Sequence, residues 1–190
     1  MNESEWLTRK TRIDTKLRAL KPAWNIVRYT DGMDVSSLRR HAVEEFPTAN
    51  GPADYALFVD GVLLGVIEAK KVGVNPQNVL EQAKRYAAGA FHGPGNWNGL
   101  RVPFLYATNG EIIWHLDARD EKRRQRQIKQ FHTATALEGY FCPSPRKGKS
   151  LAVDNIVRGL PLLPARLCSS KPDRYSAPPT HQYQLPMLLG

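Results

Sequence analysis

The 190-residue chain has only two cysteines, Cys142 and Cys168, too few for a disulfide framework and without metal-ligand spacing. A zinc ribbon or a cysteine-stapled secreted domain is excluded. The five histidines (His41, His92, His115, His132 and His181) show no ligand spacing either, and His115 reads as a structural or surface residue of its strand. No apolar run approaches a membrane span, and no N-terminal stretch resembles a signal peptide. A reduced, cytoplasmic protein without a membrane partner is the expectation. Internal repeats and a nucleophile elbow are absent as well. Acidic residues are scarce, with 18 Asp and Glu against 27 Lys and Arg, for a net charge of +9. That excess leans toward a polyanionic partner, nucleic acid before membrane, although a basic domain binding nothing in particular has the same composition.

What is present suffices for one ordinary core, since 42% of residues are hydrophobic. Proline is unevenly placed: the last 48 residues hold eight of the fourteen and show no sustained periodicity. The chain therefore divides into a domain over 1–142 and a Pro-rich linker or disordered tail over 143–190. Gly148-Lys149-Ser150 imitates the end of a phosphate-binding loop, but Pro143 stands where the motif needs its first glycine. No apolar strand feeds it, so this chain is not expected to bind ATP.

Residues 3–20 have helical spacing, with Trp6, Ile13, Leu17 and Leu20 on one face and Arg9, Lys10, Arg12, Lys16 and Arg18 around the rest. Those basic residues face either DNA or solvent. Pro22 ends the helix. A strand over Trp24 to Tyr29 follows, closed by Asp31-Gly32. Residues 34–46 suit either helix or strand, the last five favouring an extended segment. Tyr55 to Val59 and Val62 to Ile67 are strands around the hairpin signal Asp60-Gly61. Asn75 caps the next helix, with Pro76 at its first position; Val79, Ala83, Ala87 and Ala90 form a small-residue face that suits a sheet. After a Gly/Asn/Pro-rich loop, Val102 to Ala107 and Glu111 to Leu116 pair around Thr108-Asn109-Gly110. Residues 119–129 read as a loop or a helix face, and 131–141 as a last short helix.

The stretch from Pro52 to Lys70 carries the chemistry. It places Asp54, Glu68 and Lys70 at the ends of two strands that pair. Hydrolysis of a phosphodiester is served by a divalent cation that orients a water, lowers its pKa and screens charge on phosphorus. Mg²⁺ takes one or two carboxylates from a protein, which Asp54 and Glu68 can supply, with the Ala69 carbonyl as a third oxygen. Lys70 lies two residues from Glu68, hence on the same strand face, where an ammonium can steady water or phosphoryl oxygens. A strict two-residue turn at Asp60-Gly61 would set Asp54 opposite Ile67, away from Glu68. A metal site therefore predicts a three-residue loop or a bulge at Gly61. Gln82 and Tyr86 share a helix face four residues apart and can supply an amide and a phenol; a core tyrosine with a surface glutamine is the plainer alternative. Arg123 and Arg124 form either a phosphate-contacting patch or a solvated segment.

The run Ala53-Asp54-Tyr55-Ala56-Leu57-Phe58-Val59-Asp60-Gly61, followed by Val66-Ile67-Glu68-Ala69-Lys70-Lys71, resembles the N-terminal nuclease domain of type I restriction enzyme R subunits, of the PD-(D/E)XK nuclease superfamily. The similarity extends over residues 5–141 through Thr8-Arg9-Lys10, Ile13-Asp14, Glu45-Phe46-Pro47, Gln82 and Tyr86, Thr108-Asn109-Gly110 and Phe131-His132-Thr133. Ala53 separates Pro52 from Asp54, so the literal Pro-Asp pair is missing. The resemblance implies an α/β, restriction-endonuclease-like core, a central mixed sheet of about four strands flanked by helices. It implies Mg²⁺-dependent cleavage of double-stranded DNA, with Asp54 and Glu68 as metal ligands, Lys70 as catalytic lysine, and Gln82 and Tyr86 in support. Glu45 falls at a family position for a further acid. Methyltransferase and specificity subunits are the implied partners. R subunits continue into an ATP-driven translocase that nothing here encodes, so a truncated or solitary cleavage module is expected. A catalytically silent DNA-binding or assembly module with the same fold is the competing expectation.

Overall fold

The computed structural model describes residues 3–142; the expected linker or tail over 143–190, with Gly148-Lys149-Ser150, lies outside the described residues. Two apolar runs form its centre. β3 (Ala53–Val59) and β4 (Val62–Ala69) are buried along their whole length except at Asp54, as expected of strands covered on both faces. Around them lie β1 (Asn25–Arg28), β2 (Arg40–Phe46), β5 (Phe104–Thr108), β6 (Ile113–Asp117) and β7 (Gln125–Ile128). The seven strands form one sheet in sequence order, with β1–β2 and β4–β5 parallel and the other neighbours antiparallel.

Helices cover both faces. The N-terminal helix, residues 5–19, consists of α1 (Glu5–Thr8), a π-helical segment (Arg9–Ile13) and α2 (Asp14–Ala19). Its Ile13 and Leu17 join Trp24, Tyr55, Leu57, Ile67, Phe131 and Leu137 in one core layer, to which α4 (Ala134–Phe141) also belongs. On the opposite face, α3 (Leu80–Ala88) follows a 3₁₀ turn (Pro76–Val79) capped by the Asn75 side chain. Val79 of that turn and Ala83 and Ala87 of α3 share a core layer with Phe58, Val66 and Leu105, the close approach that small residues allow.

Four expectations need correction. The sheet has seven strands, not about four. One of the additional strands is β7, which lies within the charged stretch read as loop or helix; as an edge strand it rests only Ile128 on the core, so its composition carries no apolar alternation. Trp6 is 64% exposed and not on the apolar face, because the wider π turn shifts the helical phase between Trp6 and Ile13. The Asp60-Gly61 turn has two residues, both at positive φ (46° and 80°), the conformation that tight hairpins prefer. The bulge is there, but farther along: Val59 pairs with Val62 and Phe58 with Leu63, then Leu57 pairs with Gly65, leaving Leu64 as the extra residue.

Candidate active site

That extra residue decides the site. Beyond it Tyr55 pairs with Ile67, so the continuing register sets Asp54 across from Glu68, as a metal site demands. Asp54 Oδ2 accepts from the Ala69 amide at 2.7 Å. Gly65 makes the bulge possible, since a Cβ there would lie 2.9 Å from Leu57 Cδ1. Lys70 donates to Glu68 Oε1 at 2.7 Å and lies 3.5 Å from Glu5 Oε2. The other Glu68 oxygen, Oε2, is buried and has no hydrogen-bond partner.

The backbone behind Lys70 is fastened by the Thr108-Asn109-Gly110 turn. The Lys70 amide donates to Thr108 O at 2.8 Å, and Asn109 Nδ2 to Val74 O at 3.1 Å. Asn109 Oδ1 accepts from the Glu111 and Ile112 amides. Sequence reasoning identified this turn without giving it that task.

Arg9 is the member that sequence reasoning placed elsewhere. Offered as a DNA contact, it lies with its guanidinium among acids, donating to Glu45 Oε1 and, at 3.0 Å, to Asp54 Oδ1. The Tyr55 ring lies 5.2 Å beneath it, and the Tyr55 hydroxyl donates to Asp14 at 2.7 Å. Lys10 pairs with Glu44 and, at 3.5 Å, with Asp14. The signal in the sequence was the pairing of Thr8-Arg9-Lys10 with two acids on β2, legible only once the helix is known to cross that strand.

Burial raises the Asp54 carboxyl, with the Ala69 amide and Arg9 pulling the other way. Glu68 is pushed up to about 8, first by burial and then by Asp54, against the pull of Lys70. For Lys70, burial favours the neutral amine, but Glu68, Glu5 and Asp54 together hold the ammonium above its ordinary value. Two carboxylates this close resist ionising together unless a cation joins them.

The donor set fits a divalent cation of the Mg²⁺ class. It offers hard carboxylate oxygens, one of them buried and unsatisfied. Six acids (Glu5, Asp14, Glu44, Glu45, Asp54, Glu68) share four cations, Arg9, Lys10, Lys70 and the outlying Arg18. Among the described residues no group of three or more His, Cys, Asp or Glu is arranged to hold an ion by itself, so protein ligands would be few.

The other candidates bond elsewhere than to these acids. Gln82 donates to the Tyr86 hydroxyl at 2.8 Å, on a helix packed against β4 and β5; neither bonds the carboxylates. Arg12 pairs with Glu3 at 3.0 Å and Glu111 at 3.2 Å. Arg123 donates to Trp97 O at 2.9 Å, bracing the loop before β5. Arg124 is largely exposed, 3.6 Å from Asp120.

A family model described as the type I restriction enzyme EcoKI endonuclease subunit second domain matches residues 24–141. The type I restriction enzyme EcoKI endonuclease subunit of Escherichia coli (strain K12) is 24% identical over 191 aligned positions, covering 75% of this chain and 16% of that protein. A solved fragment of an HsdR subunit of a type I restriction enzyme from Vibrio vulnificus YJ016 has a TM-score of 0.50 at 20% identity, over 75% of this chain and 26% of that one. At that identity the likeness is one of fold. The chain spans about a sixth of the curated relative's length.

Proposed function

The chain belongs to the family of the type I restriction enzyme EcoKI endonuclease subunit second domain, and from that premise we propose that it is a DNA-cleaving module of the PD-(D/E)XK kind. It hydrolyses phosphodiester bonds of double-stranded DNA with Mg²⁺ and works beside methyltransferase and specificity subunits. The observation that carries this reading is the bulge-set register, which aligns Asp54 with Glu68 and leaves Lys70 2.7 Å from Glu68.

Asp54, Glu68 and the Ala69 carbonyl would hold the Mg²⁺. When bound, the ion lowers the pKa of water and screens the charge developing on phosphorus. The chain's own residues do the rest. The Ala69 amide fixes the Asp54 carboxylate in orientation. Lys70 stays charged, and its Nζ is free to turn a proton from Glu68 toward a phosphoryl oxygen or the attacking water. Burial around Glu68 and Ala69 keeps bulk water away, which strengthens each of these interactions. Gln82 and Tyr86 support the reaction from α3 through their amide and phenol.

A nicking assay on supercoiled plasmid tests the reading. With Mg²⁺ the intact chain, alone or in its assembly, should convert plasmid to the open circle, and Asp54→Ala and Lys70→Ala should each abolish conversion. Cleavage indifferent to both substitutions would remove this site. DNA binding without cleavage under every condition would favour the silent assembly module.

A further inference from the structure

We propose that Arg9 is a built-in second cation of this site: its guanidinium occupies the Asp54–Glu45 position, so the chain takes one divalent cation and not two. The inference rests on the reading of Asp54 and Glu68 as cation ligands.

Two-metal hydrolases place a pair of ions on bridging carboxylates. Here three carboxylates lie on adjacent strands, Glu45 on β2, Asp54 on β3 and Glu68 on β4. β2 pairs Glu44 with Tyr55 and Phe46 with Ala53, which sets Glu45 beside Asp54. Two cation positions are thereby defined, one on each side of Asp54. The side toward Glu68 has the unsatisfied Oε2. The side toward Glu45 holds Arg9 Nη1, bonded to both carboxylates, with Nη2 3.5 Å from Asp54 O and 3.7 Å from Glu44.

The backbone is arranged for this contact at both ends. Glu45 has φ +55° within a strand, a conformation that side-chain-bearing residues rarely adopt and that clusters at functional sites. It breaks the strand's alternation: Glu44 meets the N-terminal helix through Lys10 while Phe46 packs in the opposite core layer. On the helix, Arg9 opens the π-helical segment, a distortion that recurs at functional sites. Tyr55 supports the guanidinium from beneath and is itself held by Asp14. A guanidinium stays charged at any working pH, so it neutralises the Asp54–Glu45 pair without occupying an ion. Arg9 is thus a positioning residue that acts through Asp54. Helix anchoring alone would leave ion stoichiometry unaffected, which is where the two roles part.

Mn²⁺ titrated into the full chain, with the free ion followed by electron paramagnetic resonance, gives that stoichiometry. Intact protein should bind one Mn²⁺, weakened about tenfold or more in Glu68→Gln, the scale on which losses around a metal site fall. Arg9→Gln should open a second site that disappears again in Arg9→Gln/Glu45→Gln, while Arg9→Lys should restore a single ion. Glu45→Gln with Arg9 in place should still bind one. Two ions in the intact chain, loss of the ion in Glu45→Gln, or a folded Arg9→Gln that binds one or none would each overturn the inference and leave the Asp54–Glu68 reading standing. If Arg9→Gln does not fold, Glu45→Gln decides. No Mn²⁺ in the intact chain would sink the cation site itself, and the inference with it.

Discussion

Glu68 carries the clearest pH signature of any single residue. Its carboxyl is pushed up to about 8, by burial first and Asp54 second, from an ordinary value of 4.5. The native form therefore binds this proton more tightly than the unfolded chain does. That stabilisation is complete below about pH 4.5 and is lost as pH rises through about 8. In EDTA, Tm should fall between pH 5.5 and 8.5, and Glu68→Gln should flatten the decline; identical slopes would refute the assignment. His115 works in the opposite sense. Burial, then His132, lowers it to about 4 from 6.5; its ring stacks on Tyr106 at 4.8 Å, and Nδ1 donates to Leu105 O at 3.2 Å. Its share of stability is present above about pH 6.5 and is lost as pH falls through about 4. An imidazole still neutral at pH 5 by NMR is the expected result, and a midpoint near 6.5 would contradict it.

At the scale of elements, the bulge in β4 and the Thr108-Asn109-Gly110 turn hold the site in register. Gly65→Ala forces a Cβ to 2.9 Å from Leu57 Cδ1. Overpacking of this kind costs roughly 1–3 kcal/mol, and any slip of the bulge would turn Glu68 away from Asp54. Lowered Tm together with lost Mn²⁺ binding is expected; a variant with wild-type ion affinity would show that the register survives. Asn109→Ala removes a bond to Val74 O and takes the acceptor from the Glu111 and Ile112 amides, bonds that contribute about 0.5–1.5 kcal/mol each. Faster amide exchange at residues 70–75 in that variant would confirm that the turn fastens the segment behind Lys70, and unchanged exchange would deny it. These two elements also mark how far the sequence could be read. Continuous apolar runs, the Asn75-Pro76 cap and Asp60-Gly61 placed β3, β4 and α3 because each is a local signal. The need for a bulge was deducible from where Asp54 must point. Its position at Leu64 was not, because that depends on how closely Gly65 lets β4 approach Leu57. Arg9 was misplaced for the same reason: a basic residue on a basic helix gives no local sign that it crosses over two acids on β2. β7 was hidden because an edge strand needs so little apolar surface.

For the molecule as a whole, net charge is a weak guide to where DNA would lie. Residues 143–190 contain seven of the 27 Lys and Arg and only two of the 18 acids, so more than half of the +9 belongs to a stretch outside the described residues. Within the fold, Arg9, Arg12 and Arg119 are engaged by acids, and Arg123 braces a loop. Arg124 is the sequence-proposed DNA contact with an exposed side chain, 69% accessible, and it adjoins β7, whose Arg126 is exposed too. A phosphate contact contributes about 0.9 to the slope of log affinity against log salt. Full-length Arg124→Ala should therefore bind a DNA duplex more weakly and with a slope shallower by about one. Arg123→Ala should instead lower Tm by loosening the loop around Trp97 while leaving that slope unchanged. Were the two effects exchanged, Arg123 would be the phosphate contact and the loop would be held by other means. Were neither slope to move, DNA would approach from the open end of β3 and β4 without touching the β6–β7 side. In that case, duplex affinity would depend on the seven basic residues of 143–190, and on Lys70 at the site.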